Sequence, residues 1–569
     1  MHKRAWVPEK RVGDGANGSA GSPPLSLDAR DDDQAVVPPE LLVLNRFGIG
    51  YPYIKVAWKM SLAYGMDGRE VLFRAGVISR ELWAQSEILL AREREARLRG
   101  STFRDNLLDH AVNALHRKKP HYSAHITFTA SQLLFLAGIA GLFLAFASIR
   151  LEQALLVALM IVCTFYTGVV VLRAYLLAWY DERVRGPREL LPVISENLPV
   201  YSLLVPLYRE ANQVEALTQH LAALNWPLEK LDIKLICERD DPQTITAIHD
   251  AKLPACFELV IVPRAEPRTK PKALNYALPL CRGEFAVIYD AEDRPDPNQL
   301  REAWSRFAQG DPDLACLQAP LIISNSRQSW LSAMFHLEYL TLFRGILPVL
   351  AKWRVPIPLG GTSNHFRKSA LQDVGGWDPY NVTEDADLGI RLFREGFHCS
   401  TLDLPTFEEA PPSFMPWLKQ RTRWVKGWMQ TILVHTRNPA QLTRDLGFKN
   451  TAVFHLLLTS IVISSLVHPV FLASVAIELW RLDTHTSLYG WFTGYGMFNL
   501  VAGYTTYGLL AHVVMRNEGK KRYLFLLISL PLYWMLISIA ACRALVHLIV
   551  KPHRWEKTPH GLADSEQKT

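Results

Sequence analysis

Two acidic motifs in this sequence could bind a cation and accept a proton. The first, Asp290–Asp293, reads DAED and follows the apolar run 285–289; the second, Thr383–Asp385, reads TED and leads into a helix-like pattern. Carboxylates that follow a strand can hold a divalent cation through hard oxygen ligands, and Mg²⁺ held in this way usually also binds phosphate oxygens. The second motif has a simpler interpretation, because Thr383 or Asp385 could cap the helix by accepting hydrogen bonds from its free amides.

Two basic segments could neutralise a phosphorylated ligand. The first, Arg268–Asn275, reads RTKPKALN, and the second, Gln420–Trp424, reads QRTRW. On a helix, Gln420, Arg423 and Trp424 share one face. An arginine there could bind a phosphate through two hydrogen bonds, and an indole could pack against a sugar ring. The simpler interpretations are a solvated basic face for the first segment and, for the second, a helix lying on a membrane surface.

The overall composition argues against one class of partner. The 569 residues include 62 Lys and Arg against 55 Asp and Glu. A protein that binds nucleic acid usually has a clearly basic face or domain, so we expect no nucleic acid partner. The seven cysteines occur singly, without the spacing of a metal site or of a disulfide framework.

Long apolar runs flank the region that contains these motifs. Ile126–Ser148 and Ala154–Leu172 are each long enough to cross a hydrocarbon core of about 30 Å as a helix. Only a few residues separate them, which predicts a transmembrane hairpin over 126–177. Further apolar runs within 450–550 predict C-terminal transmembrane helices, and these runs are 452–479, 491–515 and 523–550.

Basic segments at the ends of the apolar runs predict the topology. Arg117–Lys119, Arg183–Arg188 and Arg516–Arg522 flank the runs, and the positive-inside rule places such segments in the cytoplasm. The last run contains Pro531 and ends at the basic tail 551–569. Two interpretations of this run stay open: a broken, partly interfacial helix pair that returns the tail to the cytoplasm, and a fifth full span.

Residues 190–440, between the apolar runs, have the pattern of an α/β domain. Apolar, β-rich stretches alternate with helical patterns, which predicts a mostly parallel sheet with crossover helices. In such sheets, ligands bind at the carboxyl ends of the strands. The predicted strands are Tyr201–Leu207, Ile233–Cys237, Leu259–Val262, Phe285–Tyr289 and Leu314–Gln318.

The N-terminal part of the chain has a different composition. Residues 1–37 are rich in Gly, Ser, Pro and Asp, which is typical of a disordered tail. Residues 38–112 predict a small helical or α+β domain for regulation or docking. Its pattern of two short helices around a turn resembles the N-terminal domain of type II secretion ATPases, and this resemblance implies a cyclic di-GMP site. The alternative is a helical protein-docking module.

Taken together, the DAED, TED and QxxRW motifs, in this order and between apolar runs, resemble the cellulose-synthase-like branch of family 2 glycosyltransferases. The resemblance covers about residues 125 to 562. It implies a multi-pass α-helical protein of the bacterial inner membrane with a cytoplasmic α/β domain of the GT-A fold. It also implies a UDP-sugar donor, UDP-glucose by default, an inverting mechanism, and Mg²⁺ or Mn²⁺ as cofactor.

The resemblance implies a role for each matching residue. Asp385 is the expected general base, and Gly360–His365 is expected at the acceptor end. The expected donor-binding residues are Glu238, Lys272, Asp290, Gln420, Arg423 and Trp424. The expected acceptor-binding residues are Thr383, Glu384 and Trp424, and the expected metal ligands are Asp290, Glu292 and Asp293. Glu238 stands where the family usually has a uracil-binding Asp, which leaves the nucleobase open.

The implied activity is processive extension of a β-linked exopolysaccharide, coupled to its passage across the membrane and to periplasmic or outer-membrane export partners. Two alternatives stay open. One is a non-processive transferase that adds a single sugar to a lipid carrier. The other is a membrane assembly or receptor component without catalysis, against which the presence of Asp290, Asp385 and Arg423 together argues.

Overall fold

The chain divides into two compact units between Phe103 and Arg104. The computed structural model describes residues 41, 44, 49–180, 198–481, 488–554 and 556. The predicted disordered tail 1–37, the basic flank 183–188 and most of the predicted C-terminal tail lie outside the described residues. The boundary between the units comes earlier than the predicted domain end at residue 112.

The first unit is a small helical core. Helix α1 spans Tyr51–Tyr64, α2 spans Gly68–Arg74, and α3, Arg80–Lys118, begins in this unit and ends in the second. Asp67 caps α2 by accepting a hydrogen bond of 2.9 Å from the Arg69 amide. The apolar residues that form the core are Leu41, Leu44, Ile54, Ala57, Val71, Leu72 and Ile78. The sequence predicted either a helical or an α+β domain here. The described residues of this unit form helices and turns, which fits a helical domain better.

The second unit is built on a seven-stranded sheet in the order β3-β2-β1-β4-β8-β6-β9, with a three-stranded sheet in the order β5-β10-β7 beside it. The strands are β1 Tyr201–Leu207, β2 Leu231–Glu238, β3 Phe257–Val262, β4 Phe285–Ile288, β5 Arg294–Pro295, β6 Leu314–Gln318, β7 Leu321–Ile323, β8 Asn364–Arg367, β9 His398–Thr401 and β10 Thr406–Glu408. Strand β8 runs antiparallel to both of its neighbours, so the large sheet is mixed.

The large sheet is buried on both faces, as the apolar runs predict. In β1, Leu203 and Val205 belong to one apolar core, and Leu204 belongs to the other. The five predicted strands coincide with β1, β2, β3, β4 and β6 to within a few residues. Strands β8 and β9 were not predicted, because each has only four residues and several of these are polar.

Helices cover the sheet and continue into an apolar bundle. Those of the second unit are α4 Ala130–Trp179, α5 Val214–Ala222, α6 Pro242–Asp250, α7 Lys270–Ala277, α8 Gln299–Gln309, α9 Trp330–Lys352, α10 Lys368–Asp373, α11 Glu384–Arg394, α12 Phe414–His435, α13 Pro439–Phe454, α14 Ser460–Arg481, α15 Leu488–Asn517 and α16 Leu530–Val550. Helix α4 breaks at Arg150, where φ is −144° and ψ is 69°, and this break lies between the two runs of the predicted hairpin.

Four described helical segments are long and apolar enough to cross a membrane: α4, α9, Pro439–Ala473 and Lys521–Val550. Three of them coincide with predicted spans. The sequence did not predict α9, and 72% of its most apolar window is buried inside the protein. Helix α15, which covers the predicted span 491–515, is not among the four. Pro531 lies at the start of α16 rather than in its middle.

Candidate active site

A cavity of about 650 Å³ lies in the second unit at the carboxyl ends of β2 and β4, and it continues between the apolar helices. This is the sheet edge at which ligands of α/β domains bind. The predicted site residues that line it are Glu238, Asp290, Glu292, Thr383, Glu384, Asp385, Gln420, Arg423 and Trp424. Two predicted residues, Lys272 and Asp293, do not line it.

The DAED motif places two carboxylates in the cavity and one outside it. Asp290 and Glu292 line the cavity. Asp293 is 1% exposed, and one of its oxygens accepts hydrogen bonds from the Asp290 amide, at 2.7 Å, and from the Thr362 hydroxyl. Through this oxygen the side chain fixes the loop that carries the other two carboxylates. Its second oxygen is buried without a hydrogen-bond partner, and the metal-ligand role of Asp293 stays a prediction.

A divalent metal ion would have two protein ligands here, Asp290 and Glu292. Among the described residues, no group of three His, Cys, Asp or Glu side chains is placed to hold a metal ion. Two hard carboxylates facing one cavity nevertheless fit Mg²⁺ or Mn²⁺, since Mg²⁺ commonly binds through one or two carboxylates and completes its shell with water and substrate phosphates.

Lys270 is a site residue that the sequence analysis missed. Its ammonium donates hydrogen bonds of 2.5 Å to Asp290 Oδ1 and 2.7 Å to the Gly361 carbonyl, and it lines the cavity. Burial disfavours this charge, but Asp290 and Glu384 outweigh burial and raise the pKa of Lys270. The only signal in the sequence was its place in the basic segment, where the prediction chose Lys272.

Lys272 lies on the other side of α7, fully buried. Its ammonium lies 2.8 Å from Glu238 Oε1 and 3.2 Å from the Ala265 carbonyl. Burial raises the pKa of Glu238, although Lys272 opposes that shift. Lys272 therefore contacts Glu238, which lines the cavity, whereas Lys270 lines the cavity itself. The donor-binding role of Lys272 stays a prediction. Arg268, also in the cavity wall, pairs with Asp240 at 2.8 Å.

The TED motif forms the start of α11. Thr383 makes no side-chain capping hydrogen bond, while Asp385 Oδ1 accepts a hydrogen bond of 2.8 Å from the Ala386 amide. Acidic side chains in the first turn suit the positive end of the helix dipole.

Burial raises the pKa of Asp385. Burial, followed by the charge of Asp385, raises the pKa of Glu384 to about 7. A carboxylate with a raised pKa is a better general base near neutral pH.

One face of α12 holds the TED motif in place. Gln430 Oε1 accepts a hydrogen bond of 3.1 Å from the Val382 amide, and the Thr431 hydroxyl accepts one of 3.0 Å from the Asn381 side chain. A Cβ atom at Gly427 would lie 2.2 Å from Thr383 Oγ1, so only glycine allows the helix this close. Gly427 and Thr431 follow Gln420 and Trp424 at helical spacing. The same helix therefore lines the cavity and also supports the segment that carries Glu384 and Asp385.

A second contact between these helices is made by Asp387, which the predicted site residues do not include. Asp387 is fully buried and accepts hydrogen bonds of 2.9 Å from Arg391 and 3.1 Å from His435, at the end of α12. Burial alone would raise the pKa of Asp387, but Arg391 and His435 reverse the shift and lower it. The charged carboxylate thus joins α11 to α12.

Trp424 is oriented by its neighbours. Its ring stacks on Tyr339, with centroids 6.1 Å apart and planes 16° apart. The guanidinium of Arg421 lies 4.7 Å from its centroid and donates a hydrogen bond of 2.7 Å to Glu338. Arg421 could not be singled out from local sequence, because Glu338 is 83 positions away and contacts it only in the folded protein. The half-buried indole is fixed as a flat surface in the cavity wall.

Comparison with known proteins assigns the centre of this unit. Residues 286–546 match the family model described as glycosyl transferase family group 2. This match and the glycosyltransferase names of the relatives support a glycosyltransferase domain. The GT-A fold that the resemblance implies stays a prediction. The matched region contains Asp290, Asp385, Gln420, Arg423 and Trp424, whereas Glu238 and both lysines precede it.

Three known proteins show how far the similarity extends. Cellulose synthase 2 from Novacetimonas hansenii is 26% identical over 50% of this chain and 17% of that protein. Beta-monoglucosyldiacylglycerol synthase from Synechocystis is 24% identical over 67% of this chain and 80% of that protein. A mannosyltransferase from Pyrobaculum calidifontis, solved with GDP-Man and Mn²⁺, is 18% identical over 69% of this chain and 99% of that chain, with a TM-score of 0.44.

The chain spans about half the length of the curated relatives it matches, for example 51% and 50% of two of them. The matched family region excludes the first unit of the chain. The resemblance of that unit to secretion ATPases, with its implied cyclic di-GMP site, therefore stays a prediction.

Proposed function

We propose that this glycosyltransferase transfers a hexose from a UDP-sugar, in the first instance UDP-glucose, to the end of a growing β-linked exopolysaccharide. The transfer inverts the anomeric centre and depends on Mg²⁺ or Mn²⁺. We place the active site on the cytoplasmic side of a bacterial inner membrane, in a multi-pass protein that passes its product across the bilayer. Cyclic di-GMP at the first unit and export partners are parts of this proposal that rest on sequence resemblance.

The observation that carries the proposal is the continuity of one cavity. It begins at Glu238 and Asp290, passes Asp385 and Trp424, and continues to aromatic side chains of the C-terminal helices, among them Tyr507, Tyr533 and Trp534. A single-transfer site needs a donor pocket and an acceptor position. A chain-extending enzyme also needs a path for a product many sugars long, and flat aromatic side chains suit sugar rings along such a path.

The residues of the cavity can perform the transfer. Asp385 accepts the proton of the acceptor hydroxyl as that oxygen attacks the anomeric carbon. The bond from this carbon to the diphosphate breaks, and Arg423 and Lys270 stabilise the negative charge that leaves. Asp290 and Glu292 would hold the metal ion, which supplies further neutralisation of the diphosphate when bound. Trp424 positions the acceptor sugar.

A second candidate function is addition of one sugar to a lipid carrier. The similarity to beta-monoglucosyldiacylglycerol synthase covers 80% of that protein, a larger share than the similarity to cellulose synthase 2 covers of that one. Parts of the cavity wall are also purely apolar, including Leu456, Leu457, Ile461 and Ile537, which would suit an acyl chain as well as the flank of a glycan.

Product length separates the two functions. Inverted membrane vesicles that contain the protein are given radiolabelled UDP-glucose with Mg²⁺ or Mn²⁺, and products are separated into solvent-soluble and high-molecular-weight fractions. We expect label in the large fraction, absent from a matched Asp385→Asn sample. Label confined to a solvent-soluble product with one sugar would establish the lipid-carrier function. If the folded protein transferred no sugar from any UDP-sugar, the proposal would fail and the non-catalytic alternative would gain support.

A further inference from the structure

The segment that follows α16 packs against α12, the helix that lines the cavity. The ammonium of Lys426 donates hydrogen bonds of 2.7 Å to the Arg554 carbonyl and 3.3 Å to the Lys551 carbonyl. The side-chain amide of Gln430 donates one of 3.2 Å to the Pro552 carbonyl. Lys426 and Gln430 are 2% and 1% exposed, so these contacts lie inside the protein.

The same segment contacts the loop that leads to the TED motif. His553 Nδ1 lies 3.1 Å from the Tyr380 carbonyl, and since a carbonyl only accepts, Nδ1 carries the proton in this contact. The two rings meet edge to face, with centroids 5.4 Å apart. Gln430 accepts a hydrogen bond from the Val382 amide through the other end of its side chain. It therefore joins the C-terminal segment to the residues just before Thr383.

A buried ammonium is a costly way to fix this segment. An apolar side chain could fill the same space without the loss of hydration that a buried charge suffers. Burial lowers the pKa of Lys426 to about 8, and Glu556 opposes this shift. The other charged groups that face Lys426 are cationic and add to it: Arg423 on α12, Arg543 on α16 and Arg554. The favourable contacts of the ammonium are the two carbonyls, one of them at the C-terminal end of α16, where a cation is favoured.

We propose that residues 551–554 position the loop that carries the TED motif, with Lys426 and His553 as positioning residues for Asp385. A displacement of about 1 Å at a reacting group can cost about 10²-fold in rate, so the support of this loop matters for proton transfer. The inference rests on the proposed function, in which Asp385 is the general base. It adds to the active site a segment that lies outside the matched family region, 286–546.

Hydrogen exchange followed by mass spectrometry measures this positioning without turnover. The full-length protein in detergent is compared with two variants, Lys426→Met and His553→Ala, each of which removes a different contact of the segment. We expect the amides of residues 380–386 to exchange about tenfold faster in both variants, because local opening of the loop becomes easier.

Lys368→Met is the matched control for loss of a buried hydrogen bond from a lysine. Lys368 also donates to a backbone carbonyl, that of Cys281, at 2.9 Å, and it does not line the cavity. We expect this variant to leave exchange at residues 380–386 unchanged.

Transfer kinetics separate positioning from a purely structural role. In Lys426→Met we expect kcat to fall about tenfold, while KM for the donor changes less than about twofold, because the donor is bound by other residues. In the wild type, kcat should fall as the pH rises above about 8, where Lys426 loses its charge and its hydrogen bonds to the carbonyls weaken. Lys426→Arg keeps the charge, so its kcat should persist at alkaline pH.

The outcomes separate this inference from the function it rests on. Unchanged exchange at residues 380–386 in both variants would overturn the inference, while the transferase stands on its own assay. Faster exchange with an unchanged kcat and pH profile would also overturn it, because the segment would then support the loop without affecting transfer. If the wild type transferred no sugar from any UDP-sugar, the proposed function would fail, and faster exchange in both variants would still establish the contact between the segment and the loop.

Discussion

The two acidic motifs of the cavity are built in the same way but fixed by different partners. Two carboxylates of each motif line the cavity, Asp290 with Glu292 and Glu384 with Asp385. A further carboxylate lies outside the cavity in each case: Asp293 within the first motif, and Asp387 two residues after the second. The outlying carboxylate of the first motif, Asp293, binds a backbone amide and a hydroxyl, which are neutral donors. That of the second, Asp387, binds Arg391 and His435.

This difference follows from what each outlying carboxylate connects. Asp293 closes a turn within its own loop and contacts the neighbouring Thr362. Asp387 joins two helices, α11 and α12, which both carry residues that line the cavity. A loop can be fixed by hydrogen bonds at short range, whereas the relative position of two helices needs a stronger, charge-assisted contact. The alignment of Asp385 with Trp424 depends on that second contact.

The largest effect on stability is expected for Asp387→Asn. The substitution removes the charge that balances buried Arg391, and breaking a buried ion pair from one side typically costs about 3 to 5 kcal/mol. We expect a clearly lower unfolding temperature by intrinsic fluorescence, together with reduced transfer because Asp385 loses its support.

For comparison, Asp385→Asn should lose about 10²- to 10⁴-fold in transfer rate with little change in unfolding temperature. Equal unfolding temperatures for the two variants would contradict this assignment.

A smaller effect is expected for Asp293→Asn. The amide oxygen can accept both hydrogen bonds that a single oxygen of Asp293 accepts, and no buried cation loses its partner. The amide NH₂ group replaces an oxygen that is buried without a hydrogen-bond partner. Because this leaves a buried donor unpaired, we expect a loss of about 1 kcal/mol in the free energy of unfolding, measured by denaturant titration. Mn²⁺ binding in the presence of UDP should remain, since Asp293 does not line the cavity. Complete loss of Mn²⁺ binding from a folded variant would show that Asp293 is a ligand after all.

The smallest effect concerns pH. The pKa of Glu384 is raised to about 7 by burial and then by Asp385. As the pH rises through this value, Glu384 becomes charged and makes its neighbour Asp385 more basic, so the transfer rate should rise about threefold across that range. In Glu384→Gln this rise should be absent. Only the increase in transfer rate at lower pH, where Asp385 itself loses its proton, should remain. The pH profiles of the two proteins, recorded with the same donor, test this, and an unchanged rise in the variant would assign it to another group.

The local patterns of the sequence predicted much of this site. Apolar runs bounded by polar residues predicted β1 to β4 and β6, because a buried strand needs a continuous apolar segment whatever its neighbours are. Acidic residues directly after β4 and before α11 lie at strand ends and helix starts by local geometry alone. The DAED, TED and QxxRW motifs therefore predicted the domain, and eight of their predicted site residues line the cavity.

What the sequence could not decide was the direction in which neighbouring side chains point. Lys270 and Lys272 are two positions apart on α7, and side chains at that spacing point to nearly opposite sides of a helix; only the packed sheet determines which of them meets Asp290. Arg421 finds Glu338 across 83 positions, and His435 finds Asp387 across 48. Such contacts depend on how helices pack, and this is fixed by the whole core rather than by any local segment.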